Sequence, residues 1–230
     1  LRGEPECALH AAGGAAGDAA ASRAFFKLGE ALARTGETGA VRGACALDVG
    51  AAPGGWSQNL VARGAREVLA VDPAPLDAAL LAAVDPARLR HVALTIQAAV
   101  PRLLAEGRAR GVGVYVCDMV YQPETCPVAV LKACRTLLAP RALCIVTLKG
   151  APGHSPASVE RAFAPPVAAF RALCPDAKVP ARPRAAAPRS PRPPRRSWVM
   201  RAGDARGAGQ VLHLLANRER ERTLVGRLAD

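Results

Sequence analysis

The chain has 230 residues, half of them hydrophobic and only 3% aromatic, so it can bury a core built mainly from Ala, Val and Leu. No run approaches the ~20 apolar residues of a membrane span, and nothing resembles a signal peptide, which argues against membrane-spanning and secreted classes. The net charge is +12, and the seven cysteines include no C-x-x-C pair. Cys45, Cys117 and Cys144 lie in apolar runs and are expected to be free thiols in a reducing compartment.

The elements alternate along the chain between strands and helices. Residues 1–21 are expected to be flexible, and Ser22–Arg34 is predicted as an amphipathic helix capped by Ser22. Five strands are then predicted at about 44–49, 67–71, 90–95, 112–117 and 141–148, with helices starting near 56, 76, 97, 126 and 156. Two more strands, Gln210–Asn217 and Arg222–Leu228, follow near the C-terminus. This order predicts an α/β, Rossmann-like doubly wound fold with seven strands, mostly parallel, ending in an antiparallel hairpin.

The stretch LDVGAAPGGW, Leu47–Trp56, reads as a buried strand that runs into a glycine-rich turn and then a helix. Gly50, Gly54 and Gly55 remove side chains where backbone and ligand must come close. Pro53 stiffens the turn, and Trp56 opens the helix. Such a turn predicts a nucleotide-like ligand, although the same pattern can also form a turn that binds nothing.

Two acids narrow the choice of ligand. Asp48 lies two residues before the first glycine, where a carboxylate suits a cationic group better than a phosphate. Asp72 follows the strand-like EVLAV at the distance from the turn at which such folds bind a ribose hydroxyl. Together the two acids predict S-adenosylmethionine, with its amino-acid part and sulfonium near the turn and its ribose at Asp72.

Polar residues end the fourth and fifth strands. Asp118 follows VGVYVC and Lys149 follows ALCIVTL, and both should reach the crevice next to the glycine turn. Lys149 is one of only four lysines in a chain with 27 arginines. A retained lysine indicates a titratable amine, because an amine can lose its proton in a desolvated, cationic setting and a guanidinium cannot. The alternatives are a strand-end turn carboxylate and a surface lysine.

A family resemblance emerges from several motifs in order. These are SRAFFKLGEAL from Ser22, LDVGAAPGGWSQNL from Leu47, VDP at Val71, VCDM at Val116 and VTLK at Val146. Over residues 22–150 the chain resembles the FtsJ-like RNA 2'-O-methyltransferase family. The resemblance implies a class I methyltransferase fold, S-adenosylmethionine as cofactor, and a catalytic tetrad of Lys, Asp, Lys and Glu, with Lys27, Asp118 and Lys149 as its first three members.

The fourth member of the tetrad has two candidates. In the family the Glu opens the last strand, and ERTLV places Glu221 at such a position. A second alignment through RRSWVMRAG would place Arg196 there and leave the tetrad defective. We select Glu221, because Gln210–Leu228 supplies two strands with a short turn; a solvated link residue is the alternative. Lys149 is then the expected general base, Asp118 stabilises its charge, and Lys27 and Glu221 orient the ribose.

The expected cofactor site departs from the family in two places. Phe26 stands where the family commonly has Tyr, and TIQAA at Thr95–Ala99 lacks the acid that the family usually has near the adenine. Gln97 or the backbone would therefore contact the base. The residues expected to bind the cofactor are Asp48, Gly50, Pro53, Gly54, Gly55, Trp56, Asp72, Gln97 and Asp118.

Positive charge is concentrated near the C-terminus. Residues 176–230 carry 13 lysines and arginines against five acids, and Ala177–Arg201 has eight basic residues, six prolines and no acid. We expect a mobile Pro/Arg-rich insertion at about 177–209 within a single domain of residues 22–230, with RNA as its polyanionic partner. A solvated loop of biased composition is the alternative.

The expected function is therefore S-adenosylmethionine-dependent 2'-O-methylation of RNA, with ribosomal RNA or a ribosomal particle as substrate by analogy with the family. The alternatives are a methyltransferase of tRNA, an mRNA cap or a small molecule, and a catalytically impaired RNA-binding relative. We expect no metal, no membrane association, a monomer and a cytoplasmic location. Because the chain begins at Leu1, a missing targeting segment would allow an organelle or the nucleus instead.

Overall fold

A computed structural model describes residues 22–119, 126–149, 156–178, 209–212 and 221–230. The segment expected to be flexible, residues 1–21, lies outside the described residues, as do Arg196 and most of the predicted basic insertion. Within the described ranges, no helix has both the length and the apolar character needed to cross a membrane.

In the described part of the chain, one mixed sheet of eight strands forms the centre of the fold, in the order β3-β2-β1-β4-β5-β8-β7-β6. Strands β1 to β5 are parallel, and β8 runs antiparallel to both of its neighbours. The doubly wound α/β class is thus confirmed. The strands are β1 Cys45–Val49, β2 Glu67–Val71, β3 Leu89–Val92, β4 Val112–Cys117, β5 Leu138–Leu148, β6 Ala177–Lys178, β7 Gly209–Leu212 and β8 Arg222–Arg227.

The sheet has one strand more than the seven predicted. The extra strand is β6, whose two residues were expected to begin the mobile insertion; instead they pair in parallel with β7. The predicted C-terminal hairpin corresponds to β7 and β8, which are antiparallel. Its connecting residues, 213–220, lie outside the described part of the chain.

Helices cover both faces of the sheet. They are α1 Ala24–Thr35, α2 Gly55–Ala62, α3 Ala78–Ala83, α4 Ile96–Ala105, α5 Pro127–Ala133 and α6 Pro156–Leu173, with short 3₁₀ turns at Thr38–Val41 and Arg135–Leu137. Helix α1 starts two residues later than predicted, and its N-cap is Arg23 instead of Ser22. The Ser22 hydroxyl accepts from the Ala24 amide at 3.3 Å. It ends at Thr35 and is capped by Gly36, whose left-handed φ of 71° lets its amide bond back to the last turn.

The core consists of two apolar layers, one on each side of the sheet. Leu103, Leu131 and Phe163 bring α4, α5 and α6 onto one face. Leu28 and Leu60 bring α1 and α2 onto the other. All five residues of β1 are buried, which is expected of a parallel strand with helices on both sides. Asp48 is therefore a buried carboxylic acid in an otherwise apolar strand.

The cysteines follow the expectation of free thiols. All six cysteines in the described residues are unpaired, and all but Cys126 are buried. Burial raises the pKa of Cys117 and of Cys134 to about 12. These thiols stay protonated at neutral pH and serve as small apolar core residues.

The topology places one crevice at the carboxyl ends of the strands. Strand order reverses between β1 and β4, the position at which open α/β sheets bind ligands. Gly50 follows β1 and Asp118 follows β4, as predicted. Antiparallel β8 then pairs Arg222 with Leu148 of β5, so the residue before β8 lies beside the residue after β5.

Candidate active site

Two cavities lie at this edge of the sheet and meet at their shared wall. The first cavity has a volume of about 400 Å³ and the second about 540 Å³. Both are lined by Gly50, Ala52, Asp118 and Lys149. The two cavities are therefore adjacent at these four residues.

Four charged side chains gather where the cavities meet. Lys27 Nζ lies 2.6 Å from Glu221 Oε2 and 3.9 Å from Asp118 Oδ1. Lys149 Nζ lies 2.9 Å from Asp118 Oδ2 and also donates to the Asp118 carbonyl oxygen. The four side chains are only 9 to 19% exposed. The structure thus brings together Lys27, Asp118, Lys149 and Glu221, which come from distant parts of the sequence.

Each of the four is positioned by a different element. Lys27 lies on the buried face of α1 with Leu28, so its amine points over the strand ends. Asp118 and Lys149 follow neighbouring parallel strands, β4 and β5. Glu221 precedes β8. Because Arg222 of β8 pairs with Leu148 of β5, Glu221 lies beside Lys149. Glu221 was selected over Arg196 because it opens the second strand of the predicted hairpin, and the observed register of β8 agrees with that choice. Arg196 is outside the described residues.

The electrostatics of this group depend on Asp118. Burial raises the pKa of its carboxyl, and the nearby ammonium groups of Lys149 and Lys27 lower it again in part. Its Oδ1 atom is buried and has no hydrogen-bond partner among the described residues. The two lysines thus provide much of the stabilisation of this carboxylate, and Lys149 is the closer of the two.

Asp48 lines the first cavity from the end of β1. Its carboxyl is 1% exposed, and burial raises its pKa to about 7. The Ser57 hydroxyl donates to Asp48 Oδ2 at 2.7 Å and opposes part of this shift, whereas the charge of nearby Asp118 adds to it. A cationic ligand group next to Asp48 would favour the ionised form.

The stability of the protein should depend on the ionisation of Asp48. Because its folded-state pKa of about 7 lies above the usual 3.8, the folded protein keeps a proton here that the unfolded chain has released. Stability from this group therefore falls as pH rises from about 4 through 7. The full effect corresponds to about 4 kcal/mol. Asp48→Asn should remove this pH dependence. Chemical denaturation at a series of pH values should then show a smaller fall in unfolding free energy than in wild type.

An exposed carboxyl provides the control for this measurement. Asp85→Asn is the same substitution at an exposed position, so the pH dependence of its stability should follow wild type. If Asp48→Asn also followed wild type across this range, the buried acid would not be titrating there.

The glycines of the turn serve the protein's own packing more than was predicted. A Cβ on Gly50, at φ 74°, would lie 2.3 Å from Met119 Cγ. One on Gly54, at φ 117°, would meet Leu80 Cδ2 at 2.4 Å, and one on Gly55 would meet the Ser22 hydroxyl at 2.2 Å. Gly50 and Gly55 line the first cavity, whereas Gly54 lines neither cavity and turns toward α3.

Substitution of Gly54 should test this packing role. Gly54→Ala combines a left-handed backbone with a clash against Leu80, so we expect a loss of about 2 kcal/mol or more in unfolding free energy. Gly39→Ala is the matched control, because a Cβ there meets nothing within 4 Å and its φ is not positive. Denaturant unfolding of both variants gives the comparison; equal stabilities would contradict the packing argument.

The second cavity is lined by the residues expected to bind a nucleoside. Asp72, directly after β2, and Gln97, in the first turn of α4, both contribute to its wall. Asp72 also supports the turn, because Oδ2 accepts from the Ala52 amide at 3.1 Å and Oδ1 from the Ala74 amide at 2.8 Å. Each carboxylate oxygen has a second lone pair, so these contacts leave capacity for a hydroxyl donor.

Trp56 and Pro53 belong to the first cavity. The peptide bond before Pro53 is cis. Trp56 is 2% exposed, and its Nε1 donor has no hydrogen-bond partner in the described part of the chain. A buried donor without a partner is unusual in a folded protein and is consistent with a site that pairs it with a ligand.

Several residues of the site were not predicted. Arg23 and Ser22 line the first cavity, and Met119 lines the second. Ser57 holds Asp48, and its place nine residues after the acid, at the start of α2, was a usable signal. Phe26, which replaces the family's Tyr, is 45% exposed and lines neither cavity. Among the described residues, no cluster of metal-ligating side chains is present.

A protein-family model matches much of the chain. Residues 20–153 match the FtsJ-like methyltransferase model, which is more than half of the chain. The match spans the motifs that run from α1 to Lys149 and confirms the resemblance drawn from them. Glu221 lies beyond the matched segment, so its place in the group of four rests on the geometry.

Individual relatives agree over shorter stretches. The chain is 39% identical over 109 residues to ribosomal RNA large subunit methyltransferase M of Aromatoleum aromaticum, covering 45% of this chain and 27% of that protein. It is 46% identical over 56 residues to ribosomal RNA large subunit methyltransferase E of Acidiphilium cryptum, 24% of each chain. The chain thus spans about a quarter of the length of these curated relatives.

A solved structure resembles the fold. The crystal structure of a candidate hemolysin of Lactococcus lactis matches with a TM-score of 0.54 and 18% identity, covering 66% of this chain and 74% of that one. At this identity the match supports the α/β architecture and carries no information on the reaction.

Proposed function

Because the chain belongs to the FtsJ-like methyltransferase family, we propose that it is an S-adenosylmethionine-dependent methyltransferase acting on a ribose 2'-hydroxyl of RNA. Ribosomal RNA is the proposed substrate, since the matched relatives are named ribosomal RNA methyltransferases. The observation that carries the proposal is the buried group of Lys27, Asp118, Lys149 and Glu221 at the junction of two cavities.

The described residues fit the proposed cofactor. Asp48 offers a buried carboxylate for a cationic group, and Trp56 offers a donor without a partner. Asp72 and Gln97 line the second cavity, where the adenosine part would lie, and Gly50 and Asp118 are at its junction with the first. Pro53 and Gly55 complete the turn, and Gly54 contributes by holding it against α3.

When bound, S-adenosylmethionine supplies a methyl group activated by a positively charged sulfur. The chain's own task is to align a hydroxyl with that group and to remove its proton. Lys149, as an uncharged amine, would accept the hydroxyl proton on Nζ, while the methyl group would leave the sulfur for the hydroxyl oxygen, so that the sulfur–carbon bond breaks as the oxygen–carbon bond forms. Asp118, 2.9 Å away, stabilises the resulting ammonium.

Lys27 and Glu221 act on orientation. Glu221 holds the Lys27 ammonium at 2.6 Å, which fixes the amine in the first cavity. An ammonium in this position donates a hydrogen bond to the acceptor oxygen and stabilises negative charge that develops there. Proton removal and orientation are thereby divided between two lysines with different carboxylate partners.

The charge of the chain supports a nucleic acid as substrate. The net charge of +12 favours binding to phosphates, and the basic segment after residue 176 is the proposed contact. Phosphate contacts position RNA without selecting its sequence, so the charge alone does not choose between ribosomal RNA, tRNA and mRNA caps.

Methyl transfer from labelled S-adenosylmethionine tests the proposal. Ribosomal RNA, ribosomal subunits and tRNA would be incubated separately with the protein, and the labelled RNA hydrolysed with alkali. Label in alkali-resistant dinucleotides is the expected result, since a methylated 2'-oxygen blocks cleavage at that position. Label on bases would contradict ribose methylation. Cofactor binding without transfer to any RNA would favour the RNA-binding relative.

A further inference from the structure

Two threonines lie directly beneath the charged group. Thr147 of β5 and Thr223 of β8 are paired across the antiparallel strands, and their hydroxyl oxygens are 3.3 Å apart. Both residues are fully buried. On the same sheet face, apolar residues continue the rows, with Ile145 before Thr147 and Val225 after Thr223. Valine would fill these places without burying a hydroxyl, so the two hydroxyls call for an explanation.

The spacing connects this threonine pair to the charged group. Thr147 lies two residues before Lys149, and Thr223 lies two residues after Glu221. Residues two apart in a strand share a face, so the pair sits on the side of the sheet from which the charged side chains extend. Pairing of Cys117 with Val146 sets Asp118 and Thr147, one residue further along each strand, side by side. A hydroxyl that donates to the carboxylate there favours its ionised form.

One direction of hydrogen bonding lets both hydroxyls act on Asp118. Either hydroxyl can be the donor in the 3.3 Å contact between Thr147 and Thr223. An ionised carboxylate only accepts, so a Thr147 hydroxyl that donates to Asp118 has used its single proton, and Thr223 is then the donor to Thr147.

We propose that Thr147 and Thr223 are positioning residues: Thr147 donates to the Asp118 carboxylate beside it, Thr223 donates to Thr147, and the two together orient the carboxylate toward Lys149. The function assigned to this pair rests in part on the proposed function, but its effect on Asp118 does not. Other charged or titratable groups around Asp118 are Lys27, Asp48, Cys117, Lys149 and Glu221. None of these is altered by changing a threonine to valine.

The test is a pH titration that needs no RNA. The chain has only four lysines, so isotope labelling of lysine side chains gives few NMR signals, and Lys149 reports the ionisation of its partner Asp118. In Thr147→Val the pH at which Asp118 protonation perturbs the Lys149 signal should rise by about one unit, a tenfold change in proton affinity. Thr223→Val should shift it less, and Thr147→Ser should restore it toward wild type.

Enzyme kinetics give the second measurement. If the protein methylates RNA, the acid limb of kcat in Thr147→Val should move to higher pH by the same amount, with KM for RNA within about twofold of wild type. Exposed Thr136→Val is the control and should change neither measurement. A wild-type titration of Lys149 in Thr147→Val would overturn the proposal. A shifted titration in a protein that transfers no methyl would uphold it and refute only the proposed function.

Discussion

Replacing Lys149 with alanine should reduce methyl transfer about 1,000-fold while leaving cofactor affinity within about threefold of wild type. The side chain is the close partner of Asp118, at 2.9 Å, and lines both cavities at their junction. Its removal takes away the proposed proton acceptor and leaves a buried carboxylate without its nearest cation. Single-turnover transfer to RNA and calorimetric binding of S-adenosylhomocysteine measure the two effects separately.

Arginine at the same position distinguishes proton transfer from charge. Lys149→Arg keeps a cation next to Asp118 but cannot accept a proton near neutral pH, so it should be about as inactive as the alanine variant. Lys132→Ala is the matched control, because this lysine is exposed on α5 and should leave transfer unchanged. Substantial transfer by Lys149→Arg would mean that Lys149 acts through its charge and that another group removes the proton.

Much of the site was accessible to sequence reasoning because parallel strands impose order. Strands of one parallel sheet present their carboxyl ends at the same edge, so Asp118 after β4 and Lys149 after β5 had to be neighbours. The apolar run of β1 located the glycine turn in the same way. Lys27 was harder to place, because an amphipathic helix alone does not indicate where its polar residue points. The family motif supplied that position.

The remaining features depend on contacts that no local pattern encodes. Thr147 and Thr223 look like ordinary strand residues until the register of β5 against β8 is known. Gly54 was interpreted as making room for a ligand, whereas its missing side chain accommodates Leu80 of α3. The extra strand β6 was missed because its two residues carry no strand pattern and gain their structure only by pairing with β7.

The division of labour between the two lysines can be tested through Glu221. Glu221→Ala should lower the unfolding free energy by about 3 kcal/mol, because it leaves the buried Lys27 ammonium without its closest partner. The loss is near the lower end for a broken buried ion pair, since Asp118 at 3.9 Å still compensates part of the charge of Lys27. Methyl transfer should fall about 10- to 100-fold, since Lys27 then turns toward Asp118 and competes with Lys149 for it. Denaturant unfolding and single-turnover transfer give both values.

A double variant separates stability from catalysis in this pair. Lys27→Met with Glu221→Leu replaces both charges by apolar groups of similar size, so stability should return to within about 1 kcal/mol of wild type while transfer stays low. Glu160→Ala is the control: its ion pair with Arg222 spans 2.9 Å on the surface and should contribute at most about 1 kcal/mol. If Glu221→Ala transferred methyl groups at the wild-type rate, the role proposed for Glu221 would be contradicted. If the double variant is as stable as wild type but transfers few methyl groups, the charges of Lys27 and Glu221 are needed for the reaction and not for the fold.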